Sequence, residues 1–156
     1  LNIIIGFLLE ARTMCPEFIF LLILTVEIVV DLMREKTRAC MRTTSPHVLA
    51  LILIHHAMNV FLLFGWLFRS PLLRYAHIAT VVGVAIHWKT NGNRCELTRY
   101  VNRACGWNYD EPFYDLLAFT GVKQLPYWRT HIHYLVIFVA LGLSLMKTKK
   151  ITRTDI

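Results

Sequence analysis

The 156 residues suffice for one domain, and 56% of them are hydrophobic against only 17% charged, with a mean hydropathy of +0.48. Soluble domains carry about 25% charged residues, and a chain this short cannot enclose a core large enough to hide so much apolar surface. The composition therefore argues against a water-soluble globule and for a lipid-facing surface. The formal charge of +7 is scattered between the apolar runs rather than gathered in one stripe, as expected of juxtamembrane anchors and not of a specific nucleic-acid interface.

Taken in chain order, Leu1 to Leu9 is apolar but too short to span a bilayer. No charged stretch precedes it and no small-residue cleavage site follows, so an interfacial helix is expected rather than a cleaved signal. Four longer apolar runs come next, at about 16–33, 47–68, 72–88 and 127–146. Each has roughly the 17 to 25 residues of a spanning helix, and only helices satisfy their own backbone in lipid. The expected fold is all-α: a polytopic membrane protein of four transmembrane helices with short interfacial helices, in a single membrane domain.

Pro16 suits the first turn of the first span. Asp31 to Pro46 reads as a polar, basic link. Arg69-Ser70-Pro71 reads as a tight turn joining the second and third spans into an antiparallel hairpin. Ala79 and Gly83 put small residues on one face of the third span, where a neighbour could approach. The surface link 89–126 carries order of its own. Asn93 followed by Glu96 reads as a capping box. Leu97, Tyr100, Val101 and Ala104 repeat at helical spacing until Gly106 stops them. A second amphipathic helix is expected from Asp110-Glu111-Pro112, carrying Phe113, Leu116 and Leu117 to Gly121, and both helices are expected to lie along the membrane surface. Trp66, Trp88, Trp107, Tyr127 and Trp128 read as an interface belt.

Lys and Arg do not fix the orientation: seven fall on the side of the Arg69 turn and ten on the other. Cys15, Cys40, Cys95 and Cys105 show no C-x-x-C and no metal spacing. Cys95 and Cys105 share one link and could pair in an oxidising compartment; free thiols are the equal alternative.

Ionisable residues at membrane depth raise a functional hypothesis. Measured from the Arg69 turn at ~1.5 Å per residue, Glu27 lies roughly 16 Å deep, His56 roughly 18 Å and His87 about 23 Å. In a core of about 30 Å, His133 falls near 21 Å and His131 near 24 Å. Three readings of this layer compete. Haem b could be held by two histidines, with His56, His87 and His133 as candidate ligands. A metal or proton-handling site could use Glu27 as its carboxylate. Interhelical polar pairs could simply fix helix register, and this third reading is favoured. The pair His131 and His133, two apart, points to different helix faces. His77 reads as an interfacial or packed residue. No G-x-S-x-G, P-loop, G-x-G-x-x-G or H-E-x-x-H occurs, so no catalytic residues are assigned. With neither a repeat nor a broken helix, a transporter is disfavoured.

The order of features from His55 to Met146 resembles a family of small bacterial integral membrane proteins of unknown function. The resemblance is carried by His56 to Gly65, by Trp88 through Cys95-Glu96-Leu97-Thr98, and by Gly106 to Tyr114. Glu96 stands where that family tends to have proline, and the first span is additional. The His87-Trp88…Asn91-Gly-Asn-Arg-Cys95 form is similar to small membrane proteins of large DNA viruses of algae and protists. That similarity implies a multi-pass protein of an internal virion membrane, tied to the capsid. The expected function is thus a non-catalytic structural or assembly component of a membrane complex. It would contact partner subunits through Asn93, Cys95, Trp107 and Tyr109 and need no cofactor; the alternative is a haem-binding redox protein.

Overall fold

A computed structural model describes residues 15–115, 118 and 126–154. Within them the fold is helical throughout: α1 (Pro16–Met33), α2 (Glu35–Thr43), α3 (Pro46–Phe64) ending in the 3-10 turn Gly65–Leu67, α4 (Pro71–Thr90), α5 (Glu96–Ala104) and α6 (Pro126–Thr154). Two of these helices are long and apolar enough to cross a membrane. One is the stretch Pro46–Leu67, with a mean hydropathy of 2.1, and the other is His131–Lys149, at 1.4. Helix α1 is as long as a span, but it carries Glu17, Glu27 and Asp31.

Proline sets the start of four helices. Pro16, Pro46 and Pro71 sit in the first turn of α1, α3 and α4 and Pro126 opens α6, where a missing N–H costs nothing and the fixed φ is already helical. Helix α2 falls in what the sequence presented as a polar link. It is short and mostly polar, yet Thr37 and Cys40, one turn apart, are buried, and Ser45-Pro46 separates it from α3.

Two apolar clusters hold the bundle. One joins Leu62, Val81 and Ile137 from α3, α4 and α6. The other joins Cys40, Val48, Ile52, Val101 and Phe113, with Trp107 packed against it. Between α3 and α4, His77 is fully buried. Its Nε2–H donates to the Leu62 carbonyl at 3.1 Å, and its Nδ1 takes the Ser144 hydroxyl of α6 at 2.7 Å. The expectation of a packed histidine holds. The hairpin depends on this ring lying against Gly65, where an added Cβ would come within 2.3 Å of His77 Cδ2. Because hydrogen bonds on both sides pin the ring, Gly65→Ala is expected to destabilise the purified protein by about 1–3 kcal/mol. Gly83→Ala faces open space and is expected to leave the thermal midpoint unchanged or slightly raised.

Several local expectations change. Ala79 and Gly83 are exposed, and a Cβ added at Gly83 would meet nothing within 4 Å among the described residues. The Asn93–Glu96 capping box does not form. Asn93 sits at φ 60° and accepts from the Tyr134 hydroxyl at 2.7 Å, while Cys95 is the N-cap of α5. Glu96 instead accepts from the Asn91 amide at 2.7 Å and from Arg99 at 2.6 Å, and these two partners hold its carboxyl below the usual range. Helix α5 lies where the periodicity put it and ends at Gly106, φ 66°. Its buried face, however, is Thr98, Val101 and Asn102, with Tyr100 and Ala104 outward. Residues 110–115 are not helical. They are strapped in extended form by Asn102, whose amide donates to the carbonyls of Asn108 at 3.0 Å and Glu111 at 2.8 Å. The rest of that expected second helix, apart from Ala118, and the Leu1–Leu9 segment lie outside the described residues.

Candidate functional site

The ionisable layer resolves into a buried cluster and a cleft. Glu27 and Asp31 lie one turn apart on α1, so both face α3, and each is almost fully buried. His56 of α3, 1% exposed, sits between them. Its Nε2–H donates to Asp31 Oδ2 at 3.1 Å, and its Nδ1 lies 3.5 Å from Glu27 Oε1, an ion-pair contact longer than a formed hydrogen bond. Asp31 Oδ1 accepts twice more, from Thr37 Oγ1 at 2.9 Å and Arg34 Nη1 at 3.1 Å. Helices α1, α2 and α3 therefore meet on one carboxylate. The Phe113 ring closes the cluster, 4.7 Å from the His56 ring and 3.8 Å from that of His55.

A neutral imidazole donates from one nitrogen only. An imidazole between two carboxylates is thus satisfied on both sides only by holding a second proton or by sharing one with Glu27. This is chemistry that can fix register or pass a proton between helices; it does not leave a lone pair for a metal. Haem ligation by His56 would require one of its ring nitrogens to leave its carboxylate. The other candidate ligands lie in other settings. His87 is exposed and its Nε2 receives the Glu96 N–H at 3.4 Å, and His133 packs edge-on to Trp88 at 5.5 Å.

On the far side of Phe113 lies a cleft of about 500 Å³. It is lined by the 92–95 turn, α5, the 109–115 strap, the end of α4 and the beginning of α6. His55, Cys95, Asp115 and His133 border it, together with Asn59, whose Nδ2 is buried without an acceptor. Cys95 Sγ is 3.8 Å from His55 Nε2. Ion pairs and stacked rings shape its rim: Arg94 on Asp110 at 2.7 Å and the Arg99 guanidinium over Tyr109 at 4.7 Å. Of the four residues expected to contact partners, Asn93, Cys95 and Tyr109 border this cleft. Trp107 does not; it is half-buried against the apolar cluster, with the Lys36 ammonium 4.8 Å above its ring. Trp88 likewise turns inward onto Tyr134 and His133, so it is a wall of the cleft rather than part of a lipid belt.

The disulfide joins Cys40 to Cys105, while Cys95 and Cys15 are free; of the two alternatives left open for Cys95 and Cys105, neither holds for both, since Cys95 is a free thiol and Cys105 pairs with Cys40. Cys95 and Cys105 cap opposite ends of α5, ten residues or ~15 Å apart along a helix, beyond the ~7 Å that a disulfide can bridge. Helix α2 brings Cys40 to the C-terminal end of α5 instead. Sequence reasoning also missed Asp31, read as the start of the link. Its one available signal was the spacing of four from Glu27, which sets both carboxylates on one helix face. Comparison with protein families, with curated proteins and with solved structures gives no match.

Proposed function

We propose that the chain is a four-span membrane protein acting as a non-catalytic structural component of a membrane assembly, its spans being α1, α3, α4 and α6. The observation that carries this reading is an inverted polarity. Phe18, Leu22, Val29, Ile54, Val82, Ile86, Phe138 and Val139 stand exposed on those four helices, while Glu27, Asp31, His56, Arg74, His77 and Ser144 of the same helices are buried. Water would penalise that arrangement, and lipid favours it. It also supports counting α1 and α4 as spans despite their charges, because Glu27, Asp31 and Arg74 are buried inside the bundle.

The assembly role follows from what the polar groups do. In the bundle His56 bonds Asp31 and His77 bonds Ser144 across helices, which fixes register. On the cap, ion pairs, rings and a disulfide hold a shaped cleft bordered by Asn93, Cys95 and Tyr109, and this is the surface offered to a partner. The likeness to small viral membrane proteins extends the reading to an internal virion membrane with a capsid contact. Absence of the protein from purified virions would remove that extension and leave the rest.

The free cysteines test the topology. Cys15 at the start of α1 and Cys95 on the cap are expected to react with a membrane-impermeant maleimide from opposite faces of sealed vesicles; labelling of both from one face overturns four spans. For the assembly role, native electrophoresis of solubilised membranes is expected to place the chain in a high-mass complex. Tyr109→Ala and Asn93→Gly, the latter keeping the left-handed backbone that Asn93 adopts, are expected to release it with at most a small fall in thermal midpoint. A Soret band in the purified protein, lost in His56→Ala, would overturn this reading in favour of a redox carrier.

A further inference from the structure

We infer that Arg74 and Lys147, beside the Trp66 ring, form a binding site for a phosphate group at the turn end of the bundle. Arg74 lies one turn into α4 and is 4% exposed. Its Nε and Nη2 are sealed from water and have no acceptor. A guanidinium stays charged under all ordinary conditions, and a buried charge without a counter-ion is among the most costly arrangements a fold can hold. The neighbouring charge makes matters worse: Lys147 of α6 is near enough for the two cations to oppose each other. The Lys147 ammonium rests 4.9 Å above the centre of the Trp66 ring, and the Trp66 N–H is already given to the Leu63 carbonyl at 3.0 Å. Glu17, a carboxylate at this end, is drawn to Arg69 and bonded by Cys15. Two facing cations, one of them desolvated and short of acceptors, are what an anion would relieve.

The geometry selects phosphate. A helical side chain leans toward the N-terminus of its helix, so Arg74 reaches back over the first turn of α4, where the helix dipole is positive. Arginine offers a planar fork that matches two phosphate oxygens, and lysine adds a point charge. A tryptophan beside them is the ring that settles at headgroup level.

The source follows from the disulfide, and here the inference rests on the four-span reading. Cys40 and Cys105 pack against Val48 and Ile52 near the start of α3, whereas Arg74 lies beyond its end, ~29 Å away along nineteen residues. A disulfide marks the oxidising side. Arg74 then faces the reducing side, whose leaflet carries the anionic phospholipids.

The test uses the full chain in a neutral detergent, titrated separately with short-chain phosphatidylglycerol, phosphatidylcholine and inorganic phosphate. Thermal midpoint and adduct mass are the readouts. Phosphatidylglycerol is expected to raise the midpoint and persist as a one-to-one adduct, with phosphatidylcholine, whose choline cation meets two like charges, weaker. Inorganic phosphate matching phosphatidylglycerol would sustain the site and make its ligand a soluble phosphate. Arg74→Met is expected to be at least as stable as the parent without lipid and to lose the response, while Lys147→Gln binds about tenfold more weakly. An undiminished response in both variants overturns the site, as does stabilisation by phosphatidylcholine that Arg74→Met retains in full. The maleimide labelling of Cys15 and Cys95 reads the topology independently, so the two failures are distinguishable.

Discussion

Replacing His56 with leucine is expected to destabilise the protein by about 3–5 kcal/mol, the usual consequence of removing one partner from a buried charged group. Leucine fills much of the same volume, so the loss measures electrostatics rather than a cavity. Asp31 keeps Thr37 and Arg34, and Glu27 loses the imidazole that lies 3.5 Å from its Oε1. That asymmetry makes a sharper expectation: the double variant Glu27→Gln with His56→Leu is more stable than His56→Leu alone. Two neighbouring substitutions would then be less harmful together than one, a coupling that a double-mutant cycle reads directly from thermal or denaturant midpoints. Strict additivity would mean that the cluster carries no mutual stabilisation. His56→Gln, able to keep one hydrogen bond to Asp31, is expected to fall between the parent and His56→Leu.

Glu27 and His56 are legible in the sequence because a constant rise per residue carries a sequence position into a height in the membrane. Height says nothing about azimuth. His87 and His133 share the level of His56 and border the cap and the cleft, since the rotation of each helix depends on which partner it packs against. Asp31 was missed for a related reason. A charge at the end of an apolar run looks like the start of a link, and its burial comes from Thr37 and His56, residues 6 and 25 positions away. Hydrophobic periodicity placed α5 but misjudged its buried face. There Asn102 turns inward because it supplies hydrogen bonds to the strap, a purpose invisible to an apolar pattern. Trp88, Cys95 and Thr98 all border the cleft, and Gly65 is small because His77 lies on it.

Cys40→Ser is expected to free the cap while leaving the bundle folded. The bond closes a loop of 65 residues, for which chain entropy alone suggests about 4 kcal/mol. On the four-span reading part of that vanishes, because α3 and α4 would stay held across the bilayer and the open loop would already be restricted; a loss nearer 2 kcal/mol is then expected, toward the lower end of the usual range. The effect should also be local. Cys40 and Cys105 tie α2 to the end of α5, next to the Asn102 strap, whereas His77, Ser144 and the Leu62–Val81–Ile137 cluster lie on the other side of the molecule and do not involve that bond. Limited proteolysis is therefore expected to cut Cys40→Ser within 106–115 well before the parent, with α3 and α4 resisting equally in both. Cys95→Ser, at a free thiol, is expected to match the parent. Because Cys40 is 3% exposed within an apolar cluster, a reductant should act slowly on the folded chain and quickly once detergent or heat opens the cap. Equal proteolysis of parent and Cys40→Ser would mean that the ion pairs of Lys36 with Glu111 and Arg94 with Asp110, and not the disulfide, hold the cap in place.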